Sequence, residues 1–118
     1  MLPSFSIGSD GLPNVSWDDQ SDPRHSLARF IGSEIYRSLS TADELLAALN
    51  EAKHAARQWQ WHGNSHSLDL RGNRCAIIDH YADLEGRQAP EVEMDALEVS
   101  EAISRWKEFV LQLGIRHA

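Results

Sequence analysis

The sequence predicts an α+β domain: an antiparallel sheet of hairpins with two main helices packed on it as a two-layer sandwich. Three observations carry this. Short runs that alternate apolar and polar residues flank turn residues at about 4–17 and 65–78. Two longer stretches, about 41–57 and 100–113, repeat apolar side chains at helical spacing. Their order, strand pair, helix, strand pair, helix, suits helices layered on one face of an antiparallel sheet. With 118 residues, 42% of them apolar, the chain is read as one domain over 1–118 whose core needs neither disulfide nor metal.

The first hairpin places Phe5 and Ile7 against Val15 and Trp17 across the turn residues of 8–13. Residues 18–23 form an acidic loop ending in Pro23, which disfavours helix just before it. Leu27, Phe30, Ile31 and Ile35 then mark a short helical or mixed segment. Thr41 and Glu44 have the spacing of a capping box, and Leu45, Leu46, Ala48, Leu49, Ala52 and Ala56 supply the apolar face of the helix that follows. The opposite face, with Glu51, Lys53, His54 and Arg57, is a solvated surface.

Gly72-Asn73 fits a two-residue type II′ turn, because glycine takes the positive φ that its first central position needs. Pairing outward sets Arg71 opposite Arg74, Leu70 opposite Cys75, Leu68 opposite Ile77 and His66 opposite Asp79. Leu68, Leu70, Cys75 and Ile77 then share the core face, which makes Cys75 a small buried residue. A polar loop over 79–90 leads to a further strand within 91–99, and Ser100 is the expected N-cap of the closing helix, with Gly114 its C′ residue. Trp106 lies on that helix's apolar stripe, while Trp59 and Trp61 share one face of a strand after the long helix.

Charge is uneven. Residues 79–101 hold Asp79, Asp83, Glu85, Glu91, Glu93, Asp95, Glu98 and Glu101 against Arg87 alone, so the whole net charge of −7 sits in this window while the remaining acids and bases cancel. That balance argues against nucleic-acid binding, which needs a basic patch. A solvated loop explains the window blandly; the functional alternative is a lure that speeds association with a basic partner. The longest apolar runs are too short to span a membrane, no signal peptide is visible, and the lone Cys75 fits a reducing cytosol, so a cytoplasmic location is expected. His62, His66 and His80 have no helix to carry them at metal-ligand spacing, and no phosphate loop or nucleophile elbow appears. No cofactor, metal or catalytic residue is therefore assigned.

Several segments together carry a resemblance: Phe30-Ile31-x-x-Glu34-Ile35, a Leu-rich helix, Trp59-x-x-x-Gly63-Asn64-x-x-x-Leu68, the strand with Ala76-Ile77-Ile78, and Ala102-Ile103-x-x-Trp106-x-x-Phe109-Val110. Over about residues 27–113 this layout resembles the small cytosolic immunity proteins of bacterial contact-dependent growth inhibition systems. It also resembles a related set of uncharacterised small bacterial proteins. The resemblance implies a non-catalytic protein that binds the toxic C-terminal domain of its cognate effector, often a nuclease, in a 1:1 complex and covers its active site. Toxin contacts differ between such systems, so physics must nominate them: Asp79, Asp83, Glu85, Glu91, Glu93 and Asp95 as carboxylates facing a basic cleft, with Trp61 or Trp17 as aromatic anchor. Residues 1–26 lie outside the resemblance, and Trp17, Asp18, Asp19 and Asp22 offer a second possible surface. The competing readings are a housekeeping adaptor and a small hydrolase or metal protein using His62, His66, His80 and Cys75.

Overall fold

The turn at Gly72-Asn73 sets the register of the main sheet. In the computed structural model, which describes residues 2–19, 22–55, 58–80 and 91–116, Gly72 has φ +67° and the pairing runs outward from it as the sequence requires. Strand β4 (His66–Arg71) pairs with β5 (Arg74–Asp79), with Leu70 opposite Cys75, Leu68 opposite Ile77 and His66 opposite Asp79. Outside this hairpin, β3 (Trp59–His62) joins β4 and β6 (Glu91–Asp95) joins β5, giving an antiparallel sheet in the order β3-β4-β5-β6. Alternation then sorts the side chains by face. Trp59, Trp61, Leu68, Leu70, Cys75, Ile77, Val92 and Met94 share the inner face, and Ser67, Asp69, Arg71, Arg74, Glu91 and Glu93 the outer.

The first hairpin forms its own two-stranded sheet instead of extending the larger one: β1 (Ser4–Ile7) against β2 (Pro13–Ser16), with Phe5 opposite Val15. It docks through Phe5, whose ring meets Trp106 edge-to-face at 5.3 Å and Phe109 at 5.7 Å.

Three helices, one more than the two main ones expected, cover the inner face. The mixed segment resolves into α1 (Pro23–Phe30) followed by a π-helical turn, Ile31–Ile35. Asp22 caps α1 by accepting the Arg24 N–H at 2.9 Å, and Pro23 occupies the first turn, where its missing donor costs nothing. Helix α2 (Leu39–Ala55) begins two residues before the expected Thr41. Ser38 is its cap, with Oγ accepting the Thr41 N–H at 3.3 Å, so the hydroxyl one turn earlier displaces the expected box. The closing helix α3 (Ala96–Arg116) likewise starts before Ser100 and runs through Gly114. The Asp95 carboxylate accepts the Leu97 N–H at 2.9 Å, which ends β6 and opens the helix at once.

Leu27, Phe30, Ile31 and Ile35 meet Leu45 and Leu49 of α2, Val99, Ile103 and Trp106 of α3, and the inner sheet face in one buried cluster. Trp106 is fully buried and its indole N–H donates to the Tyr36 carbonyl at 2.6 Å. Tyr36 follows the π-helical turn at φ 42°, a region that side chains other than glycine disfavour by roughly 1–3 kcal/mol. The Tyr36 N–H donating to the Ile31 carbonyl at 2.7 Å and the Trp106 bond hold that backbone from both sides. Trp106→Phe should therefore cost about 1–3 kcal/mol in urea denaturation for the unpaired carbonyl, and more for the space the smaller ring leaves in the core; an unchanged midpoint would mean that the indole N–H contributes nothing.

Candidate functional site

Two neighbouring surfaces collect the polar chemistry, and one carboxylate builds the junction beside them. Glu34 projects from the π-helical turn onto the connection between β3 and β4. It accepts the backbone N–H groups of Asn64 (3.0 Å), Ser65 (2.7 Å) and His66 (3.1 Å) and the Ser65 hydroxyl (2.8 Å). A side chain at Gly63 would collide with this carboxylate, so the glycine is needed for the approach. Burial pushes the Glu34 carboxyl up, but the hydrogen bonds from Ser65, Asn64 and His66 outweigh it and hold the carboxyl below its ordinary value.

The first surface is a cleft of about 400 Å³ between α1, the π-helical turn, the end of β2 and the ends of β4 and β5. Trp17, His25, Arg29, Ser33, His66 and Asp79 line it. His25 Nδ1 lies 2.8 Å from the Trp17 carbonyl and must be its donor, since a carbonyl only accepts. His66 Nδ1 lies 2.9 Å from Ser65 Oγ and 3.1 Å from Ser33 Oγ. Ser65 gives its proton to Glu34, and Ser33 gives its own to the Arg29 carbonyl at 2.8 Å. Both hydroxyls therefore accept from His66, which carries a proton on Nδ1 and turns Nε2 toward Asp79 Oδ2 at 3.9 Å. Serine, histidine and aspartate stand in sequence here, yet neither hydroxyl hands its proton to the imidazole, as an activated nucleophile would.

The second surface is a depression of about 220 Å³ where the starts of α1 and α3 meet β6. Asp22, Glu93, Asp95 and Glu98 converge there with Arg24 and Arg74. Arg24 bridges Asp22 at 3.2 Å and Glu98 at 2.7 Å and lies over the Trp17 ring, 5.6 Å from its centroid. Trp17 thus stands between the depression and the cleft, and its buried indole N–H has no hydrogen-bond partner among the described residues.

The nominated residues divide between these places. Asp79 and Trp17 line the cleft, whereas Glu91, Glu93 and Asp95 lie on β6. Asp83 and Glu85 fall outside the described residues. Trp61 is half-buried and packs edge-to-face on Phe30 at 5.7 Å, covering the core. The acidic window is not opposed by Arg87 alone, as its position in the chain implied. Arg71 reaches Glu91 at 3.0 Å, Arg74 reaches Glu93 at 3.1 Å, and Arg24 reaches Glu98, all from outside the window. Antiparallel pairing and helix packing bring these cations in, which counting along the chain does not register. Each exposed pair contributes about 0–1 kcal/mol.

The histidines are separated by the sheet. His66 faces inward, with Phe30 edge-on at 6.1 Å, while His62 Nδ1 (3.2 Å) and His80 Nε2 (2.7 Å) meet at Ser67 Oγ on the outer side. Among the described residues no three His, Cys, Asp or Glu side chains form a metal-binding group. Cys75 is fully buried, and burial pushes its thiol up to about 12, far from thiolate reactivity. No helix among the described residues is long and apolar enough to cross a membrane.

Because the Glu34 carboxyl is held below its ordinary value of 4.5, its clamp stabilises the fold fully above that value and is lost as pH falls through the lower, folded value. Glu34→Gln should cost about 1 kcal/mol at pH 7, and in urea denaturation the gap to wild type should narrow progressively as pH falls below 4.5. A gap independent of pH would show that the carboxylate charge is not what matters.

No family model matches the chain, and no solved structure matches it. The UPF0231 protein YE0706 of Yersinia enterocolitica (serotype O:8 / biotype 1B, strain NCTC 13174 / 8081) is 31% identical over 65 residues. The match takes in 55% of this chain, which spans about half (54%) of the length of that curated relative.

Proposed function

We propose that the protein is a binding protein that neutralises a basic partner domain by covering its active site, as the resemblance to bacterial immunity proteins implies. One observation carries this reading: Asp22, from the acidic loop of the N-terminal region, meets Glu93, Asp95 and Glu98 of the acidic window in one depression, with Trp17 alongside. The two surfaces that the sequence offers as alternatives are adjacent in space. Four carboxylates outnumber the two guanidiniums there, so the depression favours an incoming cation. Glu91 and Glu93 extend the carboxylates along β6 with side chains 46% exposed. An active-site cleft that holds phosphate is basic, and such carboxylates steer association with it. Trp17 supplies aromatic area of the kind that anchors interfaces.

The partner to try first is a toxin domain encoded immediately upstream, captured with the tagged full chain and tested for loss of toxicity in a 1:1 complex. Glu91→Lys combined with Glu93→Lys should slow association about tenfold or more at low ionic strength. The melting temperature should fall only slightly, because the pairs lost and the like-charge contacts that replace them with Arg71 and Arg74 are exposed to solvent. Asp95 is left intact in this variant because it caps α3. Neutralisation by the double variant equal to that of wild type would exclude the acidic strand from the interface.

A further inference from the structure

The main sheet has two edges, and they differ in chemistry. One is β6, which carries Glu91, Glu93 and Asp95 and repels a strand of its own kind. The other is β3, which holds no Asp, Glu, Lys or Arg and is joined to β4 alone among the described residues. Charges, prolines and bulges are common guards of an open edge, and β3 has none of them.

The alternation of hydrogen bonds shows which groups this edge offers. The Gly63 N–H donates to the His66 carbonyl at 2.9 Å, and the antiparallel pattern repeats that hydrogen-bonded pair at Trp61–Leu68 and Trp59–Leu70. Gln60 and His62 therefore turn their backbone N–H and C=O groups outward, away from β4. The bond from the His80 N–H to the Ser65 carbonyl, 2.9 Å, fixes the same phase from the other side of β4. Trp59 and Trp61 take the alternate positions of the open edge, where facing side chains of two paired strands come closest. Both are half-buried, so part of each indole remains accessible.

We infer that β3 pairs with β3 of a second copy of the chain, antiparallel and centred on Gln60, joining the two sheets into one. In this register Gln60 meets its own counterpart in a hydrogen-bonded pair, and Trp59 of each copy stands opposite Trp61 of the other. Facing aromatic side chains are a stabilising cross-strand pair. Charge selects this arrangement. Pairing through β3 sends the two acidic windows to the far ends of the joined sheet, whereas β6 against β6 sets acid against acid. Pairing β3 with β6 leaves an edge open at each end and does not close. The acidic depression lies at the β6 edge, so the inference does not depend on the partner-binding reading.

Sedimentation equilibrium of the full chain should show a reversible association that stops at the dimer. Amide exchange of Gln60 and His62 should slow as the dimer fills. Gln60→Pro removes an outward N–H and none that β4 uses, so it should weaken dimerisation about tenfold or more while β3 stays paired. Unchanged exchange of the Trp61 and Leu68 amides in the dilute monomer checks that pairing. Gln60→Lys sets ammonium against ammonium across the axis and should weaken the dimer likewise, with part of the loss recovered in high salt. A chain that stays monomeric to millimolar concentration, or growth beyond the dimer, would overturn the inference. So would a dimer in which Gln60 and His62 exchange as fast as in the monomer, or one that Gln60→Lys leaves undiminished.

Discussion

The carboxylate of Glu34 is the constraint on which the arrangement of the cleft beside β4 depends. It leaves the π-helical turn after α1 and takes four hydrogen bonds from a connection some thirty residues away in sequence, tying the helical layer to the start of β4. A carboxylate bound mainly by backbone N–H groups fixes main-chain position and not merely side-chain contact. With the Ser65 proton drawn to Glu34, the Ser65 oxygen is left to accept from His66 Nδ1, and the ring's other nitrogen faces Asp79. The π-helical turn is an irregular element of a kind that recurs at functional sites, and it aims Glu34 and Ser33 at the same strand end.

A second tie acts at the other end of that turn. Trp106 holds the carbonyl of Tyr36, whose backbone would otherwise be unfavourable, so the entry to α2 and the middle of α3 are fixed together. Arg24 then links the starts of α1 and α3 through Asp22 and Glu98. The acidic depression is therefore framed by helix starts whose positions are set by the core, and its charges are held by bonds that also serve the fold. Asp95 illustrates the double use: it ends β6, caps α3 and lines the depression.

Much of the sheet was legible in the sequence because its determinants are local. Gly72 dictates the turn, the turn dictates the register, and alternation dictates that Cys75 is buried and that His66 opposes Asp79. Helix boundaries were less legible, since Ser38 competes with Thr41 and Asp95 with Ser100, and the choice depends on where the preceding element stops. Of the cleft only the His66–Asp79 pairing was legible, and nothing in the sequence joined Asp22 to Glu93 and Asp95. Cleft and depression both join residues far apart in the chain, and charge summed along 79–101 omits the arginines that pairing and packing deliver to it. A signal was nonetheless present: Glu34 and Gly63 belong to two of the segments that carried the family resemblance, and the structure puts them in contact.

The most direct test is residue-resolved hydrogen exchange of the wild-type protein at neutral pH, following the amides of Ser65 and His66. Both sit at or beside a connection between strands, where exchange is ordinarily fast, and both donate to Glu34. Protection comparable to that of the central β4 amides is the result that the carboxylate clamp requires. Exchange at the rate of an open loop would contradict it, and with it the proton arrangement deduced for His66 and the cleft.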